Sequence, residues 1–146
     1  MKKVFFFCLF FSVLFIAKAQ VKKIPADVTD AFTTRYPHAT KVEWRDKHHY
    51  FEVSFQLNGF DITADFSSNG EWQSSERVLD FNQLPDEVRD GFLKSKYADR
   101  QKKDIYELQE SGKPLQYRIT VQKSAIEKKN LYFDVNGRLL KEAMSL

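Results

Sequence analysis

The sequence predicts an α+β protein in which a helix followed by a four-stranded antiparallel sheet is used twice in tandem. Three observations carry this expectation: an internal duplication, strand segments of period-two alternation joined by Asn-Gly turns, and helix signals that precede each set of strands. Helices that precede hairpins, instead of crossing between parallel strands, place both helices on one face of the sheet and leave the other face polar and open.

The duplication is direct. Ile24-Pro25-Ala26-Asp27-Val28-Thr29-Asp30-Ala31-Phe32 reappears as Leu84-Pro85-Asp86-Glu87-Val88-Arg89-Asp90-Gly91-Phe92, and each stretch runs on to a tyrosine, Tyr36 or Tyr97. Phe66-Ser67-Ser68-Asn69-Gly70 has its counterpart in Phe133-Asp134-Val135-Asn136-Gly137. The repeats are expected over about 24–79 and 84–146, with the extra length of the second in loops around Ser111 to Pro114 and Lys123 to Lys129.

Each repeat opens on a helix. Proline at the first turn lacks only an N–H that has no helical partner there, and the acidic residues that follow suit the positive end of the helix dipole. Val28, Phe32 and Tyr36 share one face, as do Leu84, Val88 and Phe92, and Pro37 stops the first helix. Val42 and Trp44 mark a first strand. His49, Phe51, Val53, Phe55 and Leu57 then alternate with Tyr50, Glu52, Ser54 and Gln56, which is the period of a half-buried strand. Asn58-Gly59 turns the chain, because both residues accept positive φ. Phe60, Ile62, Ala64 and Phe66 alternate with Asp61, Thr63 and Asp65, and Asn69-Gly70 leads into a strand through Trp72. The second set is expected at Ile105 to Leu108, Leu115 to Val121, Ile126 to Phe133 and Arg138 to Ala143.

Before the first helix, Met1-Lys2-Lys3, an apolar run from Val4 to Ala17 and Ala17-Lys18-Ala19 form the three parts of a secretory signal peptide. The run is shorter than the ~20 apolar residues that span a bilayer. Residues 1–19 are therefore expected to be removed after Ala19, leaving 20–146 as one periplasmic or secreted domain with no stable membrane insertion. Cys8, the only cysteine, lies inside the apolar run and not at its end, which argues against lipidation. The mature chain then has no cysteine, which excludes disulfides, thiol catalysis and thiolate metal sites, and suits a bacterial envelope.

The chain carries 23 basic and 20 acidic residues, and loss of Lys2, Lys3 and Lys18 makes the mature form formally neutral. Its charges are interspersed, so the basic footprint of a nucleic-acid-binding protein is missing.

The pattern Ile-Pro-x-x-Val-x-x-Ala-Phe, Tyr-Pro-x-Ala-Thr-x-Val-x-Trp, a Tyr-Phe-Glu-Val strand and Phe-x-x-x-Gly-x-Trp resembles the PepSY-like family of secreted bacterial proteins. Here Ile24, Pro25, Val28, Ala31, Phe32, Tyr36, Pro37, Ala39, Thr40, Val42, Trp44, Phe51, Glu52, Val53, Phe66, Gly70 and Trp72 carry it. The second repeat is more degenerate: it lacks the Tyr-Pro step and has Ile105-Tyr106 where Val42 and Trp44 stand. The resemblance implies two tandem helix-plus-sheet units and a fold similar to the β-lactamase inhibitor protein (BLIP), with binding at the open sheet face and its loops. It implies no defined activity.

No catalytic constellation is legible. His48 and His49 are adjacent and point to opposite faces of a strand, and His38 follows Pro37, so a histidine metal site would need His38 to fold back. Ser67, Ser68, Ser74 and Ser75 lack the context of an activated nucleophile. Asp134-Val135-Asn136-Gly137 reads as a hairpin turn and not as a calcium loop, which would need further ligands and a closing glutamate. The surface that remains is the open sheet face, with Tyr50, Glu52, Ser54, Gln56, Asp61, Thr63 and Asp65, joined by Gln116, Arg118 and Thr120 from the second repeat. Trp44 and Trp72 read as core. The expected function is a non-enzymatic, cofactor-free module that binds a protein or peptide in the cell envelope, of peptidase-inhibitor-like type. The alternatives are a small-ligand carrier with a cavity between helices and sheet, and, less favoured, a metal-assisted hydrolase using His38 and His49.

Overall fold

A computed structural model describes residues 23–124 and 126–145. The signal peptide and its cleavage after Ala19 lie outside the described residues. The elements run α1 (Ala26–Arg35), β1 (Thr40–Asp46), β2 (Tyr50–Leu57), β3 (Phe60–Ser67), β4 (Trp72–Val78), a 3-10 turn (Phe81–Gln83), α2 (Asp86–Leu93), β5 (Gln101–Glu110), β6 (Gln116–Ser124), β7 (Glu127–Asp134) and β8 (Leu139–Met144).

The expectation of two helix-plus-four-strand sheets is corrected on one point. The described strands form a single eight-stranded sheet, ordered β1 to β8 with every neighbouring pair antiparallel. The join is β4–β5, paired from Ser74↔Glu110 to Val78↔Tyr106. The physical reason is the edge that each half would otherwise expose: β4 and β5 satisfy each other's backbone groups across the join.

Local chemistry explains the elements. Pro25 sits immediately before α1 and its carbonyl accepts from the Val28 and Thr29 amides, while Asp27 lies in the first turn. The helix ends at Arg35, with the Tyr36 amide on the Phe32 carbonyl and Pro37 next. Asn58 and Gly59 take φ values of 52° and 83°, which closes the β2–β3 hairpin in the left-handed region. The extra length of the second half lies largely in its first hairpin's strands, not only in loops. Strand β5 has 10 residues against 7 in β1, and the pairing with β6 continues past a bulge to Gln101↔Gln122.

Both helices cover the same face. One register row runs Phe55–Ile62–Arg77–Glu107–Tyr117–Phe133 across β2 to β7, and its ends belong to two separate apolar clusters. Under α1, Val28 and Phe32 meet Phe51, Val53, Phe55 and Phe66. Under α2, Val88, Phe92 and Tyr97 meet Ile119, Leu131 and Phe133. Each such apolar side chain, fully buried, contributes roughly 1.5–3 kcal/mol. Rings fill the space between α1 and the sheet: Phe32 lies edge-on to Trp44 at 5.3 Å and to Phe55 at 5.1 Å. Trp44 and Trp72 both pack against this cluster, in accord with their expected place, and the Arg35 guanidinium stacks on Trp72 at 3.8 Å.

Between the clusters the row is polar. Arg77 Nη2 donates to Glu107 Oε2 at 2.6 Å, and its guanidinium lies 4.7 Å above the Phe60 ring. This partly buried ion pair spans the β4–β5 seam on the helix side.

Candidate functional site

The opposite face of the seam is also stitched by an arginine and a glutamate. Arg118 on β6 reaches across β5 to Glu76 on β4, with Nη1 and Nη2 donating to the two carboxylate oxygens at 3.2 and 3.1 Å. On the way its guanidinium covers the Tyr106 ring at 4.5 Å. A forked, stacked arginine is held in one geometry, as a lysine could not be. Rows set the rest of the surface: Ser54–Thr63–Glu76–Leu108–Gln116–Asp134 and, one step along, Glu52–Asp65–Ser74–Glu110.

A groove of about 490 Å³ follows this seam and is lined by Glu52, Thr63, Asp65, Glu76, Glu110, Arg118 and, as apolar wall, Leu108 and Tyr132. Shallower depressions flank it on the same face, one toward β1 with Ser54, Gln56 and Asp61, the other toward β8 with Tyr106, Arg118 and Asn130.

The residues expected on the open face divide accordingly. Glu52, Thr63, Asp65 and Arg118 come together in the central groove. Ser54 and Thr63 hydroxyls lie 3.3 Å apart, and Gln56 Nε2 donates to Asp61 Oδ1 at 2.8 Å, so this group is tied internally at the edge of the face. Tyr50 stands at the start of β2 opposite Ser67, off the groove rows. Thr120 lies on the expected face, in the depression toward β8, but it is buried there and its hydroxyl donates to Asn130 Oδ1 at 2.8 Å.

Asp65 is electrostatically unusual. The Ser74 hydroxyl donates to its Oδ2 at 2.9 Å, while its Oδ1 is buried without a hydrogen-bond partner. Burial pushes the carboxyl above the usual range; the serine bond opposes this, and Glu52 and Glu76 add repulsion. Glu52, its direct neighbour across β2–β3, is paired at 3.4 Å with Arg45 and Lys47, both reaching in from the rim.

Glu76, Tyr106, Leu108, Glu110 and Tyr132 join the site only through the sheet pairing. The signal that could have found the first is the alternation of Ser74, Glu76 and Val78 beyond Trp72. As for the histidines, His48 sits at φ 70° in the β1–β2 turn with its amide on Asp46 Oδ1, His49 is in that turn too, and His38 follows α1. Among the described residues no three metal-ligating side chains cluster, and no helix is long and apolar enough to cross a membrane.

A helix-backed antiparallel sheet with one open face defines a protein of the β-lactamase-inhibitor-like fold class. The chain belongs to the PepSY-like family: the family described as "Putative beta-lactamase-inhibitor-like, PepSY-like" matches residues 49–141. Among solved structures it is similar to a BLIP-like protein from Bacteroides fragilis, with 28% identity, a TM-score of 0.81 and coverage of 86% of this chain and 89% of that one. A DUF2874 family protein from Bacteroides ovatus has 24% identity and a TM-score of 0.79, covering 84% of this chain and 89% of its own. A protein from Bacteroides eggerthii described as a putative periplasmic protein shares the fold at 23% identity and a TM-score of 0.77, over 84% of this chain and 90% of its own. The comparison with curated proteins returned no match.

Proposed function

We propose that this chain is an exported, non-enzymatic binding module that holds a protein or peptide partner on the open face of its sheet. The mature form is residues 20–146, released after Ala19, and it works in the periplasm or outside the cell. The observation that carries the reading is the groove over the β4–β5 seam, where Arg118, Glu76 and Tyr106 are held rigid on adjoining strands. Its opposite face is covered by α1 and α2, so the open face is the broad strand surface left for a partner. Pre-organised aromatic and arginine side chains beside a groove suit protein recognition, because little side-chain freedom is lost when the partner arrives. Membership in an inhibitor-like family supports a binding role, and the periplasmic description of a structural neighbour supports export. Restraint of an envelope peptidase is one activity such a module would have.

The test is capture from envelope extract of the native host with residues 20–146, beside the folded variant Tyr50→Ala/Glu52→Ala/Arg118→Ala. Enrichment of one protein that is lost with the variant supports the reading. Enrichment that the variant leaves unchanged removes the open face as the binding surface.

A further inference from the structure

Among the groove's four carboxylates Asp65 makes no ion pair with a described residue. Glu76 takes both hydrogen bonds of the Arg118 guanidinium, Glu110 pairs with the exposed Lys113, and Glu52 pairs with Arg45 and Lys47. Glu52 and Asp65 are direct cross-strand partners. Side chains in that position have Cβ atoms about 4.5–5.5 Å apart, and like charges there are destabilising. The counter-charges on Glu52 come from Arg45 and Lys47, which are 61% and 39% exposed and so are screened and easily exchanged. Asp65 accepts a hydrogen bond from the neutral Ser74 hydroxyl and feels the charge of Lys47 without pairing to it, and its second oxygen is buried with no donor. Leu108 and the Tyr132 ring stand in the same groove. An alkyl stem would lie along them, and a cation would find the ring face attractive.

We infer that the partner seated on this face presents a lysine or arginine side chain to the groove, where it pairs with Glu52 and Asp65. The inference rests on the open-face reading and names the chemistry of the partner: a basic segment of a protein. An acidic segment would meet four carboxylates, and an apolar one would leave Asp65 Oδ1 buried with no donor, which specific interfaces avoid.

The probe is a labelled Gly/Ser 12-mer carrying four lysines, compared with matched peptides carrying four glutamates or four norleucines, followed by anisotropy and by amide shifts of the ¹⁵N-labelled protein. The lysine peptide is expected to bind about tenfold more tightly than either match, with shifts centred on Glu52, Asp65 and Ser74. Glu52→Gln/Asp65→Asn should lose most of that preference. Asp30→Asn/Asp99→Asn, which removes the same charge from exposed positions elsewhere, should keep it. Equal loss in both variants, or equal binding of lysine and norleucine peptides, overturns the inference. Shifts that stay on the open face without a charge preference would leave the open-face reading standing and sink only the basic partner. Shifts confined to α1 and α2 would overturn both.

Discussion

Gly137, at φ +77° in the β7–β8 turn, lies directly on the carbonyl group of Glu87 in the first turn of α2, and a Cβ there would fall 2.7 Å from the carbonyl carbon. Gly70, at φ +82° in the β3–β4 turn, meets the Asp27 carbonyl of α1 in the same way, with a Cβ 2.5 Å from the oxygen. These close approaches seat each helix on its sheet.

Gly137→Ala and Gly70→Ala should therefore combine left-handed strain with a backbone collision, each destabilising by more than the ~1–2 kcal/mol of strain alone. Gly59→Ala is the control, since it shares the positive φ but has nothing within 4 Å of its added Cβ. Denaturant midpoints should fall well below that of Gly59→Ala for the first two. Equal losses in all three would show that contact with the helices is not what requires glycine.

The seam ion pair gives a second prediction. Arg77→Ala leaves Glu107 partly buried and beside the Tyr117 hydroxyl, and uncovers the Phe60 ring. A loss of about 1.5–3 kcal/mol is expected, the range for a hydrogen bond to a charged group. Glu107→Gln/Arg77→Met, which removes both charges and keeps the bulk, should recover most of it. Equilibrium unfolding of the two variants decides this.

What the amino-acid sequence makes legible follows from contrast within each strand. The α1 stripe of Val28 and Phe32, the alternation of Phe51, Val53 and Phe55, and the Asn58-Gly59 turn are local signals, and they place one open and one covered face. Strands β4 and β5 lack such contrast where they meet, because Ser75, Arg77, Glu107 and Gln109 are polar on the helix side too. Their join, and with it Glu76, Leu108 and Tyr132 in the groove, depends on pairing between segments about 30 residues apart, which no short period reveals. Arg118 was legible as an open-face residue, but its partner was not.

Asp65 yields a pH dependence of definite sign. Its carboxyl is raised in the folded protein, first by burial and then by Glu52 and Glu76. The folded state then holds the proton more tightly than the unfolded one, so this group's contribution to stability is greatest in acid and declines as pH rises through the shifted value. Asp65→Asn should be at least as stable as the parent at pH 7, by a few tenths of a kcal/mol, with the advantage vanishing below pH ~4. Thermal melts across pH test it, and a variant that is less stable at pH 7 would contradict it.

Glu142 behaves oppositely. The buried Tyr97 hydroxyl and Lys96 hold its carboxyl below the ordinary range. Stability from this group is present above the ordinary carboxylate value and is lost as pH falls through the depressed one. Tyr97→Phe should lower the melting temperature at pH 7 and narrow its difference from the parent in strong acid. A difference that stays constant across pH would assign the effect of Tyr97 to packing alone.

Whether a partner binds at the open sheet face is decided by site-specific photo-crosslinking. Benzoylphenylalanine is placed at Thr63 or Glu110 on the open face, or at the exposed Thr34 of α1 or Leu93 of α2, and the protein is irradiated in native envelope extract. Binding at the open face predicts one crosslinked protein from Thr63 and Glu110 and none from Thr34 or Leu93. A crosslink from the helix positions alone would contradict it.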